Sequence, residues 1–310
     1  MGARGARPAW DPGAVSGRSR LEAALRLVRI EHTLFSLPFA YAGAALSRHP
    51  FSLGDAILMG LALLGLRTAA MAYNNIADYD IDRLNPRSRS RPLVSGALRF
   101  KDAWLVVAVG SLLYYASAAL LNRYALLFSP ILWLLAMSYP YAKRLHWLPH
   151  IHLGLVLGFA VFGGAIAAAG DEAGSAWEAL GAVPWVYVAA VTLWVASFDI
   201  IYSTLDEDFD RAHGVGSVPA RFGYRGALVW SLALALAASA LFAAGSLIYR
   251  PPAGAFTLAG SALGSAVMLY GVALAWRGRE NVPRAFNLNL LVGLLVSLGV
   301  IADYAGALLH

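Results

Sequence analysis

The chain contains no cysteine, which excludes disulfides, thiolate metal sites and a cysteine nucleophile. Charge is nearly as scarce: 14% of the 310 residues are Asp, Glu, Lys or Arg, against about 25% in an ordinary soluble domain. The basic N-terminal stretch lacks the apolar core of a secretory signal, so none is expected there. Ala6 stands where N-myristoylation requires Ser or Thr. What is abundant is apolar side chain, 59% of residues, with a mean hydropathy of +0.60. Disordered, collagen-like and disulfide-scaffold classes are excluded, and a helical membrane bundle uses the length better than two soluble domains. The net charge of +6 is read from its placement along the chain, and no nucleic-acid partner is expected.

Residues 1–20 are expected to form a disordered basic arm, and 21–29 an amphipathic lead-in at the membrane surface. Residues 21–310 are expected to be one transmembrane domain. Nine mostly apolar runs approach the ~20 residues needed to cross the hydrocarbon: 30–47, 54–76, 103–121, 124–141, 149–169, 182–203, 225–248, 254–276 and 285–308. Nine spans alternate the loops between two sides. Of the 24 Lys and Arg, 20 then fall on the side of the N-terminus, including Arg83, Arg87, Arg89, Arg91, Arg99, Lys101, Lys143, Arg144 and Arg211. Arg48, Arg123 and Arg250 fall on the other, and Arg67 lies inside the second run. Positive charge is retained in the cytoplasm. The expectation is a multi-pass cell-membrane protein with its N-terminus cytoplasmic and its C-terminus outside.

Eight of the 18 acidic residues lie in two short segments at cytoplasmic helix ends. In the first, Asn74, Asp78 and Asp82 are spaced i, i+4, i+8, one helical face, with Arg67 seven residues earlier on the same face. In the second, Asp199, Asp206 and Asp210 share a face at i, i+7 and i+11. Like charges at this spacing repel, and carboxylates near a bilayer are costly to desolvate, so each face calls for a cation. Oxygen ligands without Cys or His suit Mg²⁺ or Mn²⁺ rather than Zn²⁺. The bland alternative is solvated loop acids balancing nearby arginines, which does not explain why the pattern occurs twice on one side.

The loop Asn85-Pro86-Arg87-Ser88-Arg89-Ser90-Arg91-Pro92 follows the first acidic face, and Lys143-Arg144 end the fourth run on the same side. Metal-bridged carboxylates beside Arg and Lys form a diphosphate clamp; Arg87, Arg91 and Lys143 are its candidates. Arg89 and Arg99 read as topology and headgroup contacts. Equivalent motifs four spans apart imply an internal repeat whose two acidic faces meet across one cavity. The residues alone lead to an all-α membrane bundle with a cytoplasmic cap, acting on an isoprenoid diphosphate.

The two spaced motifs, N-x-x-x-D-x-x-x-D at Asn74, Asp78 and Asp82 and D-x-x-x-D at Asp206 and Asp210, resemble those of the UbiA superfamily of intramembrane prenyltransferases. Arg87 to Gly96 (RSRSRPLVSG) and Tyr139-Pro-Tyr-Ala-Lys-Arg144 are also similar to family segments. The resemblance extends from about residue 21 through the chain. Residues 199–223 look like the 4-hydroxybenzoate polyprenyltransferase branch, whereas Glu31 to Phe35 and Pro219 to Gly223 look closer to menaquinone-pathway relatives. Asn75 and Gly216 depart from the pattern, at positions where Asp and a Lys or His are usual.

The resemblance implies a nine-helix fold and Mg²⁺-dependent electrophilic alkylation of an aromatic acceptor by a polyprenyl diphosphate, with membrane lipid as the surroundings and no obligate protein partner. It assigns Asn74, Asp78, Asp82, Asp206 and Asp210 to Mg²⁺–diphosphate. Asp199 is expected either to orient or deprotonate the phenol or to pair structurally with Arg67. Arg67 and His32 are candidates for an acceptor carboxylate, Tyr139 for stacking on substrate, and Arg144 for the clamp. His146, His150 and His152 read as headgroup-level residues, since Pro149 interrupts any i, i+4 pair. Glu31 and Asp303 should face the bundle interior. The competing class is a cation transporter using acidic helix faces, which would want its acids near the midplane on broken helices.

Overall fold

The computed structural model describes residues 17–28, 33–249 and 253–308. Among them every regular element is helical. An amphipathic helix α1 (Gly17–Val28) takes in the last residues assigned to the basic arm and buries Ala23 and Leu27 against the second span, leaving Leu25 and Arg26 exposed. The spans follow as α2 (Thr33–Leu46), α3 (Leu53–Ala77), α5 (Phe100–Leu121), α6 (Arg123–Leu145), α7 (Pro149–Ala169), α9 (Trp185–Ser203), α11 (Val218–Ile248), α12 (Ala255–Trp276) and α13 (Val282–Leu308). Three short helices, α4 (Tyr79–Asp82), α8 (Ala176–Gly181) and α10 (Glu207–His213), lie in the connections.

Eight of these helices are long and apolar enough to cross a membrane. The ninth, α2, has 14 residues and spans only about 21 Å at 1.5 Å per residue. The run expected over 30–47 extends beyond it into residues that are not described, where His32 and Glu31 also lie.

Helix neighbours repeat along the chain. α3 packs on α5, and α5 on α6, as α9 packs on α11 and α11 on α12; α13 closes the bundle between α12 and α2. The order in which the second span of each half packs on the spans that follow it is therefore shared, as the repeat expected from the two motifs requires, although α9 is far more enclosed than α3. α7 and α9 are the most enclosed spans, with more than half of their apolar stretch buried.

Lipid gives helices no hydrophobic reason to associate, so close backbone approach does much of the work. A Cβ on Gly43 would collide with the Val161 carbonyl, and one on Gly164 with that of Ala40, which locks α2 against α7. Gly65 and Gly110 play the same part between α3 and α5.

Two polar residues, the buried Asn122 and the half-buried Asp303, fasten the end of the bundle opposite the motifs. Asn122 accepts from the N–H groups of Tyr124 (3.0 Å) and Ala125 (2.8 Å), and donates to the carbonyls of Ile166 and Ala167, both at 3.1 Å. It thereby caps the start of α6 and adds a donor to two carbonyls in the last turn of α7, one of which, Ile166 O, also accepts from the Gly170 N–H. Asp303 on α13 accepts from the N–H groups of Gly254 (2.8 Å), Phe256 (3.3 Å) and Thr257 (2.6 Å). The acid expected in the bundle interior is thus a helix cap supplied from another helix, with its charge at the positive end of α12.

Candidate active site

α3 does not run unbroken through the first motif. It ends at Ala77, Asp78 leaves the helical region (φ −93°, ψ 1°), and the chain re-enters one turn of helix at α4. The i, i+4, i+8 face was expected on one helix; it is made by two pieces. The register survives because the Asp78 N–H still bonds Asn74 O (2.9 Å) and the Asp82 N–H bonds Asp78 O (2.8 Å). The second motif is interrupted in the same way: α9 ends at Ser203, a 3₁₀ turn covers Thr204–Asp206, and α10 carries Asp210.

Each motif carboxylate has a partner from another segment. Lys143 Nζ lies 2.6 Å from Asp78, whose side chain is 3% exposed. Arg91 pairs with Asp82. Arg87 Nη1 donates to Asp206 Oδ2 at 2.5 Å, Asn85 Nδ2 donates to Asp206 Oδ1 at 3.1 Å, and the Arg87 guanidinium lies over the Tyr202 ring. Asp210 accepts from the Ser217 hydroxyl at 2.9 Å and lies within electrostatic reach of Lys143. The basic loop of one half is therefore bonded to the acidic motif of the other, and the two motifs share one site. Burial pushes the Asp78 carboxyl above the usual carboxylate range, against the opposing charges of Lys143 and Arg91. Arg144 bonds Asp80 instead (2.7 and 3.1 Å) and holds that exposed carboxyl below its usual range. Arg144 also donates to the Ala77 carbonyl, closing the end of α3.

Among the described residues, no three His, Asp or Glu side chains converge as a preformed metal cluster. The donor chemistry nevertheless fits a hard cation: all five motif residues offer oxygen, and the buried Asn74 Oδ1 and Asp78 Oδ1 have no hydrogen-bond partner. Buried oxygens are seldom left unmet without a reason.

Arg67 lies two turns deeper on α3 than Asn74. Its Nη1 donates to Ser36 Oγ at 2.9 Å, and its buried Nε has no partner. The structural pair expected with Asp199 is not formed. Asp199 pairs instead with His150, Nδ1 to Oδ2 at 2.6 Å. His150 is 2% exposed, so its reading as a headgroup-level residue is corrected: Pro149 starts α7, and the helix's first turn carries the imidazole into the bundle. Tyr139 lies within electrostatic reach of both Asp199 and Asp78. Glu207, absent from the candidates, is 5% exposed and holds Arg211 and Arg279, tying α10 to the loop before α13. The sequence carries no signal for it, because local spacing does not distinguish a buried acid from the solvated ones beside it. Asn75 bonds the Met71 carbonyl of its own helix at 2.8 Å.

Deeper in the bundle than the motifs, an apolar cleft runs between α2, α3, α5, α6 and α7. Leu66, Leu135 and Val156 line its motif end, and Leu121, Ala125 and Ala167 its far end. From Leu135 to Ala125 on α6 it covers roughly 15 Å of the bundle. A second, polar recess opens between α4, the end of α6 and α10, lined by Asp80, Arg83, Lys143, Arg144 and His213. The acids thus stand at one end of helices that enclose the apolar cleft deeper in the bundle, and not at mid-bundle as a transporter's would.

Residues 36–293 match the UbiA prenyltransferase family. The chain is 30% identical over 260 residues to the 4-hydroxybenzoate octaprenyltransferase of Dechloromonas aromatica (strain RCB), covering 80% of this chain and 82% of that protein. The apo structure of a UbiA homolog from Aeropyrum pernix K1 superposes with a TM-score of 0.85 at 60% identity, over 89% of this chain and 98% of that one. A UbiA homolog from Archaeoglobus fulgidus bound to GPP and Mg²⁺ shares the fold, with a TM-score of 0.67 at 21% identity over 91% and 99%. With two interrupted acidic helices at one end of an apolar bundle and a family match over most of its length, the chain belongs to the UbiA prenyltransferase family and is a multi-span membrane prenyltransferase.

Proposed function

We propose that the protein transfers a prenyl group from a polyprenyl diphosphate to a small phenolic acid such as 4-hydroxybenzoate, releasing diphosphate, with Mg²⁺ held by Asn74, Asp78, Asp82, Asp206 and Asp210. The observation that carries this is the set of cation-matched carboxylates at one end of helices that enclose, deeper in the bundle, an apolar cleft covering roughly 15 Å. The activity named for the Dechloromonas relative supports the acceptor, and the ligands of the Archaeoglobus homolog support the metal.

When bound, Mg²⁺ neutralises the diphosphate and draws electron density from the allylic C–O bond. Arg87, Arg91 and Lys143 exchange their carboxylate partners for diphosphate oxygens and stabilise the charge that develops on the leaving group. The prenyl chain lies in the cleft below Leu66 and Leu135, away from water that would trap the allylic cation. Arg67, a buried cation with an unmet Nε, takes the acceptor carboxylate. Asp199 accepts the phenol O–H. With the para position occupied by the carboxyl group, the ring attacks through a carbon ortho to the hydroxyl. The C–C bond forms as the C–O bond breaks and diphosphate departs with the electron pair. Asp199 takes the phenol proton, tautomerisation restores the ring, and one proton is released overall.

Incubating the purified protein with Mg²⁺, a polyprenyl diphosphate and 4-hydroxybenzoate should yield a prenylated acid, identified by mass spectrometry, and diphosphate. Absence of any prenylated product would overturn the reading.

A further inference from the structure

We propose that His150 is a positioning residue for prenyl transfer, holding Asp199 as an ionised carboxylate with one oxygen reserved for the acceptor's hydroxyl. This rests on the reading of Asp199 given above.

The hydrogen bonds determine the protonation of the pair. The Val218 backbone N–H points at His150 Nε2, 3.2 Å away. A backbone N–H can only donate, so Nε2 presents a lone pair and the ring's single proton sits on Nδ1. That proton is donated to Asp199 Oδ2. A proton on Asp199 Oδ2 would have to be donated to Nδ1, leaving both ring nitrogens bare, an imidazolate, which is excluded near neutrality. The pair is therefore a neutral imidazole donating to an Asp199 oxygen that carries no proton.

Three of the four motif carboxylates have a cationic partner, Asp78 with Lys143, Asp82 with Arg91 and Asp206 with Arg87. Asp199 is oriented by a neutral donor, so it is aimed without being neutralised and remains able to take a proton. Among the described residues no hydrogen-bond donor reaches its Oδ1, and its side chain is 20% exposed.

The same short segment fixes both ends of the arrangement. Ser217 bonds Asp210, and the next residue, Val218, bonds His150. The Gly216 N–H donates to Lys143 O at 2.7 Å, and a Cβ there would strike the His146 carbonyl. That contact explains why a larger residue is absent at Gly216. The segment 216–218 is therefore keyed into the α6–α7 connection, and it sets the distance between the diphosphate end and Asp199.

The experiment separates the two ring nitrogens. His150→Asn keeps an amide donor near the Nδ1 position; His150→Gln keeps an acceptor near Nε2 but loses the donor to Asp199. With purified full-length protein, Mg²⁺, a polyprenyl diphosphate and 4-hydroxybenzoate, kcat and both KM values are measured beside Tm. His150→Gln should lower kcat on the order of 10- to 100-fold, the range of a hydrogen bond to a charged group, with KM for the polyprenyl diphosphate unchanged. His150→Asn should retain most of the turnover. In an Asp199→Asn background, His150→Gln should cost nothing further, because the two residues act as one unit. A loss from His150→Gln that persists in full in that background would overturn the proposal, as would equal losses in both His150 variants. Asp199→Asn at wild-type turnover would remove Asp199 from the reaction and this role with it. An inactive wild type fails the functional reading itself, which is a distinct result.

Discussion

Arg87 Nη1 lies 2.5 Å from Asp206 Oδ2, although the two residues belong to different halves of the bundle. A cation from the first half thus meets a carboxylate of the second at the position where metal and diphosphate are proposed to bind. Both side chains are partly exposed, at 39% and 25%, so the pair contributes under about 1 kcal/mol to folding. Arg87→Ala should therefore leave Tm nearly unchanged while raising KM for the polyprenyl diphosphate roughly tenfold or more, the cost of one charge-assisted contact. Steady-state kinetics beside a melting curve in detergent checks both halves of this statement.

The two motifs should respond differently to truncation. Asp78→Ala and Asp206→Ala should each abolish turnover by removing an acidic ligand. Asp78 is 3% exposed beside Lys143, itself 23% exposed, so its removal strands a largely buried cation and should also lower Tm; breaking a fully buried pair costs about 3–5 kcal/mol. Asp206 is more exposed, and its loss should barely move Tm. Normal turnover in either variant would remove that residue from the site.

Arg67→Gln should raise KM for 4-hydroxybenzoate and leave KM for the diphosphate substrate alone. With an acceptor lacking the carboxylate, the difference between wild type and variant should disappear. A defect of equal size on both acceptors would assign Arg67 to structure.

Chain-length preference should answer to the apolar cleft. A Cβ on Gly163 meets nothing nearer than Leu132 Cδ2 at 3.7 Å, so a side chain there grows into the cleft. Gly163→Phe should depress kcat/KM for long polyprenyl diphosphates more than for short ones. An unchanged ratio would mean that the tail lies elsewhere.

The charge asymmetry predicts that the motif end faces the cytoplasm. With no native cysteine, single cysteines at the exposed Ser90 and Ala212 should react with a membrane-impermeant thiol reagent from the cytoplasmic side only, and one at the exposed Asp171 only from outside. Labelling of the first two from opposite faces would contradict the shared site.

Asn74, Asp78, Asp82, Asp206 and Asp210 were legible as two sites because helical spacing is local: residues four apart meet wherever the helix lies. The break at Asp78 was not, since nothing in its neighbours' propensities requires α3 to stop there; Arg144 closing the Ala77 carbonyl comes from 67 residues away. The partner of Asp199 was not legible for the same reason: of its two expected roles, only the structural pair with Arg67 is excluded. Arg67 and His150 were both within the reach of a sequence argument, and choosing between them requires knowing that α7, not α3, is the stronger neighbour of α9.

By itself the sequence determined the apolar spans, the asymmetry of Lys and Arg and the two acidic motifs, because hydropathy and helical period are properties of contiguous residues. Only the tertiary structure decided the partners: Arg87 with Asp206, His150 with Asp199, and Asp303 at the start of α12. An apolar helix carries little directional information about which neighbour it will choose. The choice is made by close backbone approach at positions such as Gly43 and Gly164 and by buried polar groups that must find a complement, and both conditions can be met only when distant segments are already side by side.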